Sequence, residues 1–159
     1  MKNKAFKKLL NENRQVIFKI CRAYSNNDQE FEDYYQEVAL QIWKSYDRFR
    51  NEAKISTWTY RISLNVCLSQ IRNKKNRISA YSLKPDLDLS NEVQQVNREQ
   101  IEKLYVAIRK LKKVDRAIIL LYLEEVKYKE MAEILGISIS NIGVKINRIK
   151  KELKEKLNE

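Results

Sequence analysis

Apolar residues recur at intervals of three and four along most of the chain, and no segment shows strand-like alternation. Phe6, Leu9, Leu10, Val16, Ile17 and Ile20 predict a first helix over residues 3–24. The polar run Tyr24-Ser25-Asn26-Asn27-Asp28 ends it. Asn27 or Asp28 suits the cap of a second helix, and Glu30, Glu32 and Asp33 suit the positive end of its dipole. That helix reaches about Tyr46 on the stripe Phe31, Tyr35, Val38, Ile42 and Tyr46, with Asp33, Gln36, Glu37, Leu40 and Trp43 on its other faces. Periodicity fails over residues 47–55, which read as a loop, and Ser56 is placed to cap a third helix from Thr57 to about Asn76.

Ser79, Ser82, Pro85, Asp86, Asp88, Ser90 and Asn91 then accumulate, so residues 78–93 read as a short linker. Apolar periodicity resumes at 94–111, 115–124, 127–135 and 138–157. The expectation is an all-α chain of two small helical domains, residues 1–77 and 94–159. Two glycines and one proline in 159 residues agree with long helices and few turns.

Residues 127–150 have the form of a helix-turn-helix. Ala132 is small where two helices cross, Gly136 ends the first helix, Ile137 plugs the turn and Ser138 caps the second helix. Ile139, Ile142, Ile146, Ile149 and Leu153 make the inward stripe of that helix. Ser140, Asn141, Val144, Lys145, Asn147 and Arg148 are left to face outward, beside Gly143. Residues 138–151 hold four basic side chains and no acid, as phosphate contact requires. An ordinary helical hairpin with a solvated basic face is the plainer alternative.

Charge separates the other surfaces. The net charge of +11 points to a polyanionic partner, nucleic acid before an anionic membrane. Residues 54–77 contain six bases and no acid. Arg61, Asn65, Ser69, Arg72 and Asn76 share one helical face, and Trp58 and Tyr60 stand at its start. Cations with interleaved rings suit single-stranded DNA, although both rings equally suit a core. Residues 28–37 hold five acids and no base, which leaves dipole compensation or a basic protein partner.

Cys21 and Cys67 are the only cysteines and histidine is absent, so a four-ligand zinc site cannot be assembled and buried reduced thiols are expected. No metal, cofactor or catalytic group is expected. The chain lacks an apolar run long enough to span a membrane, and its N-terminus lacks a signal-peptide core, so the expected location is cytoplasmic.

The segment FEDYYQEVALQIWKSYDRFRNEAKISTWTYRISLNVCLSQIRNKKNR resembles the sigma-two domain of extracytoplasmic-function (ECF) sigma factors. IRKLKKVDRAIILLYLEEVKYKEMAEILGISISNIGVKINRIKKEL resembles their sigma-four domain. The resemblance implies a non-enzymatic protein that binds core RNA polymerase and promoter DNA, with an anti-sigma factor as a possible further partner. It implies polymerase docking at Asp33, Gln36, Glu37 and Trp43. It implies −10 element contacts at Asn51, Lys54, Trp58, Arg61, Asn65 and Arg72, and −35 element contacts at Ser140, Asn141, Val144, Lys145 and Arg148. The chain departs from the family's habit at Ala39 (usually bulky), near Val126 (often glycine), near Gly143 (often a second lysine) and at Lys145 (often arginine). On the residues alone, a stand-alone helix-turn-helix regulator remains the alternative, with a polymerase-binding decoy behind it.

Overall fold

The computed structural model describes residues 2–49, 54–73 and 95–158, and every regular element among them is helical. The elements are α1 (Lys2–Glu12), α2 (Arg14–Tyr24), α3 (Asp28–Ser45), a short 3-10 turn (Tyr46–Arg48), α4 (Ile55–Asn73), α5 (Gln95–Arg109), α6 (Lys113–Leu123), α7 (Tyr128–Leu135) and α8 (Ile139–Leu157). They fall into two compact units, α1–α4 and α5–α8. The expected linker, residues 78–93, lies outside the described residues.

In the first unit α4 packs against both α2 and α3. Ile17, Ile20, Val38, Ile42, Leu64 and Cys67 close its core. The single first helix expected from the sequence is instead two helices that meet at Asn13. The buried Asn13 side-chain amide donates to the Leu9 carbonyl at 2.9 Å, a local polar bond that competes with regular helix geometry. The third expected helix also starts earlier than its capping signal. α4 begins at Ile55, with the Trp58 amide donating to the Lys54 carbonyl at 3.0 Å, so Ser56 is already helical.

Cys21 and Cys67 are free thiols, fully buried between α2 and α4. Burial pushes the Cys21 thiol well above its ordinary value, and the neighbouring Cys67 adds to the shift. Both therefore behave as small core hydrophobes.

The second unit is built around α8, against which α5, α6 and α7 pack. Ile142, Ile146 and Ile149 are wholly buried there. Ile139, expected on the same stripe, is half exposed because it is the first residue of α8 and has no turn beneath it. Arg116 fixes the end of α5. Its Nε donates to the Leu111 carbonyl at 2.9 Å and its Nη2 to the Arg109 carbonyl at 2.6 Å.

α6 closes in a left-handed residue that is not glycine. Glu125 has φ of 60°, its amide donates to the Tyr122 carbonyl at 3.0 Å, and the Val126 amide donates to Leu121 at 3.1 Å. This is the paired C-terminal bonding of a Schellman motif with a side chain where glycine is cheapest. Glu125→Gly is expected to raise the stability of this unit by about 0.5–1 kcal/mol. Urea unfolding of the full chain checks it, and an unchanged midpoint would count against strain at this residue.

Candidate nucleic-acid and partner-binding surfaces

The acidic face is carried by α3. Asn27 caps that helix by accepting the Glu30 amide at 2.8 Å, and Asp28 and Glu30 occupy its first turn. Tyr34 is buried and its hydroxyl donates to Glu30 Oε2 at 3.2 Å. Burial first, then the Glu30 charge, pushes the Tyr34 phenol well above its ordinary value, so it stays a donor.

Asp33 and Gln36 are exposed, and Glu37 is half-buried while accepting from Gln41 Nε2 at 3.0 Å. Leu40 sits among them with 43% exposure. Helical spacing puts these four side chains on one strip. Trp43 stands at its edge and is engaged internally. The Phe6 ring meets it edge-on at 5.0 Å, and Lys2 Nζ lies 4.2 Å from its centroid. Lys2 is held there by Asp47 at 3.0 Å. Of the four expected docking residues, three form an open strip and the fourth braces α1.

On α4, Arg61, Asn65 and Arg72 are exposed along one face. Arg72 Nη2 donates to Ser69 Oγ at 3.3 Å. The opposite face is buried although it is partly polar. Thr59 and Ser63 turn their hydroxyls inward onto the carbonyls of Ile55 and Thr59, each at 2.8 Å, which removes the cost of burying them. Tyr60 belongs to the core. Trp58 is half-buried against Phe49, ring centres 4.9 Å apart. Lys54 is exposed just before the helix. Asn51 lies outside the described residues, as do Lys74, Lys75 and Arg77.

In the second unit the turn between α7 and α8 is built as its residues dictate. Gly136 is left-handed at φ 68°, and its amide donates to the Ala132 carbonyl at 2.8 Å. Ser138 caps α8 by accepting the Asn141 amide at 3.2 Å. With the isoleucines turned inward, Ser140, Asn141 and Arg148 are exposed, Val144 is 69% exposed and Lys145 is half-buried. An added Cβ at Gly143 would meet only the Tyr128 ring, at 3.9 Å, so the helix there is open enough for a side chain. Lys150 rests over the Tyr122 ring at 4.3 Å.

Arg148 is not a simple solvated cation. Its Nη2 lies 3.1 and 3.0 Å from the two carboxylate oxygens of Asp115 on α6. The Asp115 side chain is 6% exposed and that of Arg148 is 55% exposed. Residue patterning missed Asp115, because one acid at the start of an apolar helix reads as dipole compensation. Phe49 was missed as the partner of Trp58, since it falls in a loop without periodicity. Among the described residues no cluster of three or more His, Cys, Asp or Glu could hold a metal ion. No described helix is long and apolar enough to cross a membrane.

Comparison with known proteins gives these surfaces a family. Residues 9–77 match Sigma-70 region 2 and residues 101–153 match Sigma-70, region 4, roughly three quarters of the chain together. The ECF RNA polymerase sigma factor SigW of Bacillus subtilis is 28% identical over 98% of this chain and 90% of its own length. The ECF RNA polymerase sigma factor SigG of Mycobacterium tuberculosis is 25% identical over 88% of this chain, which spans only 45% of that relative. Among solved structures, the sigma factor RpoE of Bartonella quintana, in complex with the anti-sigma factor NepR, matches with a TM-score of 0.73 at 22% identity, covering 98% of each chain. CnrH in complex with the cytosolic domain of CnrY matches with a TM-score of 0.71 at 19% identity, covering 98% of this chain and 89% of CnrH. At those identities the two structures attest the fold. Two helical units, one ending in a helix-turn-helix and both matching sigma regions, define a transcription initiation factor and not an enzyme. The chain belongs to the sigma-70 family, as a sigma factor of the ECF type.

Proposed function

We propose that this sigma factor acts in the cytoplasm, docks on core RNA polymerase through α3, and directs it to promoters read by α8 and α4. The observation that carries the reading is the acid-free, basic stretch of α8 up to residue 151, presented by a capped helix-turn-helix turn. In this scheme residues 1–77 engage polymerase and the −10 element, 78–93 link, and 94–159 engage the −35 element.

Asp33, Gln36 and Glu37 offer an anionic strip to a basic partner surface, where complementary charge speeds encounter and fixes register. Trp43 contributes by holding α1 against the strip's edge. α8 enters a major groove with Ser140, Asn141, Val144, Lys145 and Arg148 toward base edges and phosphates. Arg61, Asn65 and Arg72, with Lys54, Trp58 and Asn51 before them, hold unpaired bases of the opened strand. The two solved relatives were captured with protein partners, which supports an anti-sigma factor as a regulator of this chain as well.

Runoff transcription with purified chain, core polymerase and a promoter library tests the reading. Transcripts that share a paired upstream and downstream element are expected. Specific duplex binding without polymerase, and no initiation with it, would instead support a stand-alone regulator.

A further inference from the structure

We propose that Asp115 is a positioning residue for DNA recognition. From α6, outside the recognition helix, it clamps the Arg148 guanidinium and sets the direction in which α8 offers that cation to a base edge. The inference rests on the reading of α8 as the upstream-element reader.

Asp115 lies in the first turn of α6 and is followed by the buried Ala117, Ile118 and Ile119. A carboxylate in such a wall is costly unless a cation and a helix N-terminus answer it. Arg148, 33 positions away in sequence, supplies the cation. An ion pair with one buried partner adds little net stability, because desolvation of the carboxylate offsets attraction; what it adds is fixed geometry.

The form of this pair matters. Both carboxylate oxygens are satisfied by Nη2 alone, so Nη1 and Nε take no part in it. Reading a guanine edge needs two parallel N–H groups; each fork of a guanidinium pairs Nη2 with Nη1 or with Nε, so the fork left for a base joins one of those nitrogens to the Nη2 hydrogen turned away from Asp115. Arginine carries roughly 2 kcal/mol of rotamer entropy, and a side chain ordered before binding loses less of it on the DNA. The neighbouring cations are placed differently: Lys150 lies over Tyr122, and Lys145 is half-buried. Asp115 also cancels part of the Arg148 charge, which weakens attachment to any phosphate while leaving directed contact intact.

The test is a double-mutant cycle in the full chain bound to core polymerase. It compares a cognate promoter with one substituted in the upstream element. Asp115→Asn keeps the shape and removes the charge. It is expected to lower the cognate-to-substituted ratio about tenfold, while binding to the substituted promoter holds or rises. In an Arg148→Gln background the same change is expected to have no further effect on the ratio. An unchanged ratio for Asp115→Asn, or an equal drop in both backgrounds, would overturn the proposal. If Asp115→Asn melts below the assay temperature, Asp115→Glu carries the same cycle, since a longer carboxylate keeps the charge and displaces the guanidinium. Failure of the wild-type holoenzyme to discriminate at all would sink the reading of α8; discrimination without coupling would sink only the role of Asp115.

Discussion

Replacing Ile146 by alanine is expected to remove about 3 kcal/mol from the second helical unit, the largest stability effect of any single change considered. Ile146 is wholly buried in the middle of α8, one turn from Ile142 and Ile149, in the helix that every other element of the unit packs against. Truncation deletes three carbons from a packed interior that relaxes only in part. A unit of this size has a stability of only about 3–5 kcal/mol, so most of it is lost. Loss of upstream-element recognition follows, while the first unit keeps its fold. Urea unfolding followed by circular dichroism measures the change, and Val144→Ala on the exposed side of α8 is the control. That control should stay within about 0.5 kcal/mol of wild type. Equal losses at both positions would mean that the inner and outer faces of α8 are wrongly assigned.

The second large effect concerns the partner surface. The double change Gln36→Lys with Glu37→Lys is expected to weaken binding to core polymerase about 100-fold or more, because like charges brought together cost several kcal/mol. The fold should survive. Gln36 is exposed, and Glu37 gives up only its bond from Gln41 on the helix surface. Fluorescence anisotropy with labelled chain and core enzyme reads the affinity, and circular dichroism confirms the helices. Core affinity within about threefold of wild type would remove α3 from the docking surface.

Much of the fold is legible in the sequence because the informative signals are local. The caps at Asn27 and Ser138 and the left-handed Gly136 depend on residues within one turn of themselves, and each stands where its chemistry requires. The stripe Ile142, Ile146, Ile149 is a matter of period alone. Where the reading went astray, the deciding interaction was tertiary or polar. Nothing in the apolar spacing of residues 3–24 marks Asn13, whose buried amide bond divides the helix. Tyr60 and Trp58 are two residues apart and equally aromatic, yet one is core and the other leans on Phe49, and only the placement of α4 separates them. The contacts of Trp43 with Phe6 and Lys2 join α3 to α1 and have no signature in the local pattern either. The Asp115–Arg148 pair joins two helices across 33 positions, beyond the reach of any local pattern.

Both native thiols reside in the α1–α4 unit, fully shielded, and residues 68–159 contain no cysteine at all. A maleimide dye added to the folded chain should therefore leave Cys21 and Cys67 untouched and couple to a cysteine introduced at Asn141, giving a reporter on the recognition helix without removing either native residue. Under mild denaturant the same two sulfurs become a stopwatch, because their alkylation rate records how often the first unit opens and is blind to the second.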